Sequence, residues 1–304
     1  MALSTYFEQY LERAKTRLKA ANQKTLERHL RHDFATLASF PIADIRRAHV
    51  AQCLDEITVR APATANRARS QLSTFFAWAI GQGLTETNPV IGTNKPAKDV
   101  RRSRVLSASE LATVWRVVGD DDFGRIIRLL ILTGQRRNEV ARMVWDELDL
   151  EAGVWTIPAE RAKNGRVHEV PLSEPAVAIL RTCSMREGVP YLFGRNRTGP
   201  FSGFSAAKDR LDAAVQLRTP WVIHDLRRTL ATGMNDLKVP PHIVEAVINH
   251  VSGAKGGVAG TYNWALYREE KREALDFWAA HVLKLGQPLL QVVTTDTETT
   301  FAEA

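Results

Sequence analysis

His224 and Arg227, in "WVIHDLRRT" (221–229), stand three residues apart. On a helix that spacing puts both side chains on one face. Near a helix start, free backbone N–H groups and the dipole add to an anion site. Histidine and arginine offered together there suit a phosphate, although a surface histidine beside a salt-bridged arginine fits the motif equally well. "TGQRRNEV" (133–140) supplies a second guanidinium. Gly134 should break one helix, and Arg136 should open the next, where it can bind two phosphate oxygens in a bidentate fork. Glu139, one turn on, either holds that arginine for function or pairs with it structurally. Lys163 precedes Asn164-Gly165, the strongest two-residue hairpin signal in the chain. A lysine on a tight tip can be aimed at a leaving oxygen, where one on a loose loop would be badly placed; most such lysines only keep a turn soluble. His250 closes "PPHIVEAVINH", where a helix C-terminus favours the protonated ring. Tyr262 follows a run holding Gly253, Gly256, Gly257 and Gly260. Its phenol, with a pKa near about 10, is a weak nucleophile unless cations or a base assist it. Two arginines, a lysine and two histidines are such a set. No carboxylates accompany these motifs at ligand spacing, so the protein itself would supply the cations, with no metal and no cofactor.

The elements that must position these residues read as mainly α with a small antiparallel β-sheet, an α+β class. Residues 1–95 read as helical throughout. In "TANRARSQLSTFFAWAIGQGLTETNPV" (64–90), Leu72, Phe75, Phe76 and Ala79 sit at helical spacing, and Gly81, Gly83 and "NP" end the segment. Residues 96–105 read as a polar basic linker. A second domain, 106–285, should open with a helix capped at Ser107 or Ser109. Its core face includes Ile126, Leu129, Leu130 and Thr133, and two short strands should flank Asn164-Gly165 within 153–172. Helices follow at 204–217, 224–236 and 240–249, with another from about Val258. Residues 286–304 form a Thr-rich tail. Arg67 and Arg69 near a helix start, and Lys95, Lys98, Arg101, Arg102 and Arg104 along the linker, could follow a phosphate backbone. A merely solvated linker is the alternative.

Composition bounds the partners. Lysine and arginine number 41 against 34 aspartate and glutamate, a net +7 that favours a polyanion. No apolar run approaches the roughly 20 residues of a membrane span, and the start lacks a signal-peptide core, so the expected location is cytoplasmic. Cys53 and Cys183 belong to no metal or disulfide pattern and read as small buried side chains.

Taken in order, Arg136 in "TGQRRNEV", Lys163 before "EVPL", His224 and Arg227 in "HDLRRT", His250 in "INH" and Tyr262 in "GTYNW" resemble the tyrosine recombinase (phage integrase) family. The resemblance runs from about residue 1 to 285. It is nearest to the P4-like integrases of prophages and genomic islands in "LTGQRRNEVARMVWDELD", "IPAERAKNGRVHEVPLS" and "HDLRRTLATGM". It implies a helical core-binding domain (1–95) and a mixed α/β catalytic domain closing as a C-shaped clamp on double-stranded DNA. It also implies roles. Tyr262 attacks the scissile phosphate to form a 3′-phosphotyrosyl link, and Arg136 and Arg227 hold the non-bridging oxygens. Lys163 protonates the leaving 5′-oxygen, His224 serves as base toward the tyrosine, and His250 hydrogen-bonds the phosphate. Neither ATP nor metal is implied. Strand exchange would run through a Holliday junction in a homotetramer, with a DNA-bending accessory protein as a further partner, in a nucleoid-associated protein of bacterial or phage origin. The glycine run would let Tyr262 move in and out of line, so that four sites do not fire together.

Tyr267 is the competing nucleophile, but it lies beyond Trp264 and lacks the G-x-Y context. P4-like integrases carry an arm-binding domain ahead of the core-binding domain. Here core-binding sequence follows Met1 almost at once, so the chain is either shortened or works without arm sites. "QPLLQVV" in the tail either packs on a neighbouring protomer or is disordered. A type IB topoisomerase-like relaxase and a DNA-binding regulator without catalysis are the competing functions.

Overall fold

The computed structural model describes residues 1–98, 103–194, 199–250 and 266–287. Contacts divide the chain into two units, Met1–Arg102 and Ser103–Ala304, each with its own hydrophobic core.

The first unit is helical. Helices α1 (Leu3–Lys15), α2 (Ala20–Arg28), α3 (Arg47–Arg60) and α4 (Pro62–Gly81) surround its core. Pro62 opens α4, where its missing N–H has no intrahelical partner to lose. Leu72, Phe75, Phe76 and Ala79 form the buried face that their spacing predicts, and Phe7 of α1 meets Phe75 edge-on at 4.9 Å between ring centroids. Residues 82–98 are not helical, because Gly83 (φ +68°) turns the chain out of the helix.

The second unit sets helices around one three-stranded antiparallel sheet, in the order β1 (Leu148–Asp149), β2 (Val154–Ile157), β3 (His168–Pro171). Helix α5 (Ala108–Val117) is capped by Ser107. Its Oγ accepts from Glu110 N at 3.2 Å, while Glu110 Oε2 accepts from Ser107 N at 2.8 Å, a reciprocal box. Helix α6 (Asp122–Thr133) starts on Asp121 and ends at Gly134, whose φ of +64° only glycine adopts readily. Ile126, Leu129, Leu130 and Thr133 of α6 are all buried. Helices α7 (Arg137–Ala141), α8 (Glu174–Arg181), α9 (Phe204–Val215), α10 (Ile223–Asp236), α11 (Pro241–Val247) and α12 (Arg268–Gly286) complete the described part. Among the described residues no helix is long and apolar enough to cross a membrane.

The two-residue hairpin does not form. Strands β2 and β3 pair from Val154↔Pro171 to Ile157↔His168, and residues 158–167 connect them. Pairing stops at Pro158, which has no N–H to give the ladder. Its carbonyl instead accepts from Arg161 N and Ala162 N, at 3.1 and 3.0 Å. The Arg161 guanidinium is bound to the Glu147 carboxylate and to the carbonyls of Arg142 and Glu139, which holds the chain away from a tight return. Asn164-Gly165 still makes a turn, with Gly165 at φ +70°, but within this longer connection. Strand β1 and helix α8 lie outside the elements expected from the sequence, and α11 ends at Val247, short of residue 249. The helix expected from about Val258 begins outside the described residues. Cys53 is buried and Cys183 half-buried.

Candidate active site

The end of α6, the start of α10 and the end of α11 meet in the second unit. Gly134 makes the meeting possible: a Cβ there would stand 2.9 Å from Leu230 Cδ2 on α10. Its carbonyl is thereby presented to α10 and accepts from Arg227 Nη1 at 2.8 Å. Arg227 Nη2 donates to the carbonyl of Ile248, just past α11. Arg227 is 7% exposed. Burial first, and the neighbouring Arg136 guanidinium second, pull its pKa down to about 10, which leaves it charged at neutral pH.

Arg136 caps α7 and is held by Glu139. Its backbone N–H donates to Glu139 Oε2 and its Nη1 to Glu139 Oε1, both at 2.9 Å. Its Nη2 donates to the carbonyl of Asn249 at 3.2 Å. The preceding residue, Gln135, is buried and donates from Nε2 to the carbonyl of Val247 at 2.8 Å. The same carbonyl meets Nε2 of the buried His168 at 3.2 Å. Burial, then the charge of Lys271, pushes the His168 pKa down to about 3, so the ring is neutral and donates from Nε2. Three successive carbonyls at the end of α11 thus receive Gln135 with His168, Arg227 and Arg136.

His224 is exposed on the first turn of α10. Partial desolvation, then Arg228 and Arg227, hold its pKa below the usual imidazole value. That makes the neutral, proton-accepting ring the main form at neutral pH. Asp225, fully buried, accepts from Val222 N at 2.9 Å and pairs with Arg228, which fixes the start of α10. Lys163 is exposed on the β2–β3 connection. Its neighbour Asn164 donates from Nδ2 to Asn249 Oδ1 at 2.6 Å, tying that connection to the end of α11. His250 is exposed and does not end a helix. It follows Asn249, which has a left-handed φ of +46°, and its N–H donates to the Glu245 carbonyl at 3.0 Å.

Five of the six expected site residues therefore lie around one helix end, and Tyr262, with its glycine run, falls outside the described residues. Tyr267 is half-buried at the start of α12 and packs against His242, with 5.4 Å between ring centroids. Sequence reasoning missed Gln135, His168, Asn164 and Asn249. Their partners are mainly carbonyls and amides far away in sequence, which leave no spacing pattern to read.

The other basic residues divide. Arg67 is exposed on α4, and Lys95 and Lys98 are exposed after it. Arg69 is half-buried on α4. Its Nε donates to Thr93 Oγ1 at 2.8 Å and its Nη2 to the Thr93 carbonyl at 3.1 Å, pinning residues 90–93 to α4. Arg104 is half-buried and donates to the Val105 carbonyl at 2.7 Å and to Glu110. Arg101 and Arg102 lie outside the described residues.

The phage integrase family model matches residues 122–258, a span that holds Arg136, Lys163, His224, Arg227 and His250 and stops before Tyr262. The phage integrase central domain matches residues 3–95. Prophage integrase IntA of Escherichia coli (strain K12) is 27% identical over 266 residues, covering 84% of this chain and 63% of that protein. Prophage integrase IntZ of the same strain is 29% identical over 254 residues, covering 81% of this chain and 62% of that one. This chain thus spans less than two thirds of either relative. The tyrosine recombinase XerC of Xanthomonas campestris pv. campestris (strain B100) is 26% identical over 245 residues, 76% of this chain and 71% of its own. Among solved structures, lambda integrase(75-356), as a dimer bound to a COC' core site, shares the fold. The TM-score is 0.67 at 23% identity, over 83% of this chain and 96% of that one. The Tn1549 transposon integrase in complex with a circular intermediate DNA aligns with TM-score 0.65 at 18% identity, over 83% and 92%. With one model matched in each unit, in chain order, and relatives aligned over most of its length, the chain belongs to the phage integrase family.

Proposed function

We propose that the chain is a site-specific recombinase that cuts and rejoins duplex DNA, integrating or excising a mobile element. The observation that carries this reading is the pair of guanidiniums, Arg136 and Arg227, held on adjacent carbonyls at the end of α11. Two fixed cations there suit the non-bridging oxygens of one phosphate, whose charge builds up in the transition state. Tyr262 supplies the nucleophile. Its phenol oxygen bonds to phosphorus as the bond to the 5′-oxygen breaks. His224, neutral at neutral pH, takes the phenol proton, and Lys163 gives a proton to the departing 5′-oxygen. His250 hydrogen-bonds the phosphate. One phosphodiester is exchanged for another, so rejoining by a new 5′-hydroxyl runs the same path backward without ATP.

The remaining assignments belong to this proposal. Residues 1–95 bind the core site, 96–105 link, 106–285 catalyse and 286–304 form a tail. Arg67, Arg69, Lys95, Lys98, Arg101, Arg102 and Arg104 contact phosphates, with Arg69 and Arg104 also holding their own surroundings. A lambda integrase tetramer bound to a Holliday junction has the same fold, with a TM-score of 0.67, and a homotetramer on DNA is proposed here too. The P4-like affinity, a DNA-bending accessory partner and a nucleoid-associated location complete the reading.

The test is covalent capture. Nicked duplexes drawn from the DNA flanking the gene are mixed with the protein in EDTA and run on a denaturing gel. The expected result is a protein–DNA band that disappears in Tyr262→Phe. Duplexes that bind in a native gel yet never give that band would leave a binding protein and remove the enzyme.

A further inference from the structure

Lys163 carries the part most sensitive to position, and it sits on a ten-residue connection rather than a hairpin tip. Something must aim it. The next residue, Asn164, is half-buried and reaches the end of α11, where its Nδ2 donates to Asn249 Oδ1 at 2.6 Å. Asn164 Oδ1 also accepts from Arg166 N at 3.2 Å, which braces the turn from within. Asn249 is placed to receive this link because its backbone is left-handed, φ +46°, a conformation that asparagine tolerates better than most residues. Its carbonyl accepts from Arg136 Nη2, and its chain neighbour is His250. Asn249 thus touches Arg136, adjoins His250 and, through Asn164, is linked to the residue beside Lys163.

Building on the recombinase reading, we propose that Asn164 and Asn249 are a pair of positioning residues: their amide link holds the Lys163 connection against the end of α11 and so places the proton donor relative to the phosphate held by Arg136. The link carries no charge and touches no reacting atom. Its whole effect should appear in the step that Lys163 serves, protonation of the leaving oxygen.

That step can be isolated chemically. A bridging sulfur in place of the 5′-oxygen leaves as a thiolate, whose conjugate acid has a pKa near about 8.5, and needs no proton. Single-turnover adduct formation is measured in EDTA at the phosphate mapped by covalent capture, on matched oxygen and sulfur duplexes. Asn249→Gly keeps the positive φ and removes only the side chain, and Asn164→Ala removes the other partner. Lys163→Ala is the reference. Both asparagine variants are expected to slow the oxygen duplex by about 100-fold, the scale of a misplaced catalytic group. They should regain the wild-type rate on sulfur, as Lys163→Ala does. Joined in one protein, the two changes should cost no more than either alone. Wild-type rates on oxygen in both variants would overturn the pair, and so would equal losses on oxygen and sulfur. A Lys163→Ala protein not restored by sulfur removes the donor role and the pair with it. A wild-type chain inert on both duplexes overturns the recombinase reading itself.

Discussion

Arg227 shows what a single residue must satisfy here. Its guanidinium spans two carbonyls, Gly134 and Ile248, from separate elements. An ammonium is a point charge on a flexible stem and cannot reproduce that fork. Arg227→Lys should therefore lower adduct formation by about 100-fold or more while also lowering the melting temperature; an unchanged rate would show that the fork is not used on the phosphate. His168 makes a different prediction. Its pKa is about 3 in the folded chain against about 6.5 unfolded. The unfolded state therefore binds more protons between those values, and stability is lost as pH falls below about 6.5. Between pH 7 and pH 5 this one ring should cost about 2 kcal/mol, and the difference should be absent from His168→Gln, as paired denaturant curves would show. His224 and Arg227 were legible because helical spacing displays them. His168 and Gln135 were not, because the carbonyl they share, that of Val247, lies 79 and 112 residues away and any residue type supplies a carbonyl.

At the scale of elements, local rules worked where the deciding groups are neighbours in sequence. Ser107 with Glu110, Asp121 before α6 and Gly134 after it all do what their types suggest. The hairpin failed because its outcome was set from a distance. Asn164-Gly165 favours a turn, yet Pro158 ends the ladder and Arg161 is drawn to Glu147 and the carbonyls around α7. Gly134 is the element-level residue with the sharpest consequence. An alanine there would pay for a left-handed backbone, about 1–2 kcal/mol, and would place its methyl 2.9 Å from Leu230 Cδ2. Gly134→Ala should destabilise the protein by about 2–3 kcal/mol and slow cleavage as well, since its carbonyl aims Arg227. Calorimetry and the capture assay on one preparation test both halves. A variant as stable as wild type would show that the approach of α6 to α10 does not depend on a glycine here.

At the scale of the whole molecule, the net charge of +7 and the exposed Arg67, Lys95 and Lys98 predict DNA affinity dominated by phosphate contacts. Affinity should fall steeply between low and moderate salt, with the logarithm of the constant linear in the logarithm of salt; a flat dependence in fluorescence titrations would contradict it. The two-unit organisation and the mixed class follow from composition and periodicity, whereas the assembly of the site does not. The carbonyls of Val247 and Asn249 at the end of α11 join residues 79, 112 and 113 positions apart. Such contacts should form late, because closing long loops costs entropy before any reward arrives. A nascent chain emerging from the ribosome without residues 247–249 can set Arg227 on the Gly134 carbonyl but lacks the three carbonyls on which Gln135, Arg227 and Arg136 meet. On the recombinase reading, the protein should therefore be unable to nick a chromosome while it is still being made. Refolding from denaturant should regain cleavage only with the slowest folding phase, and cleavage that returned earlier would show a site assembled from local contacts alone.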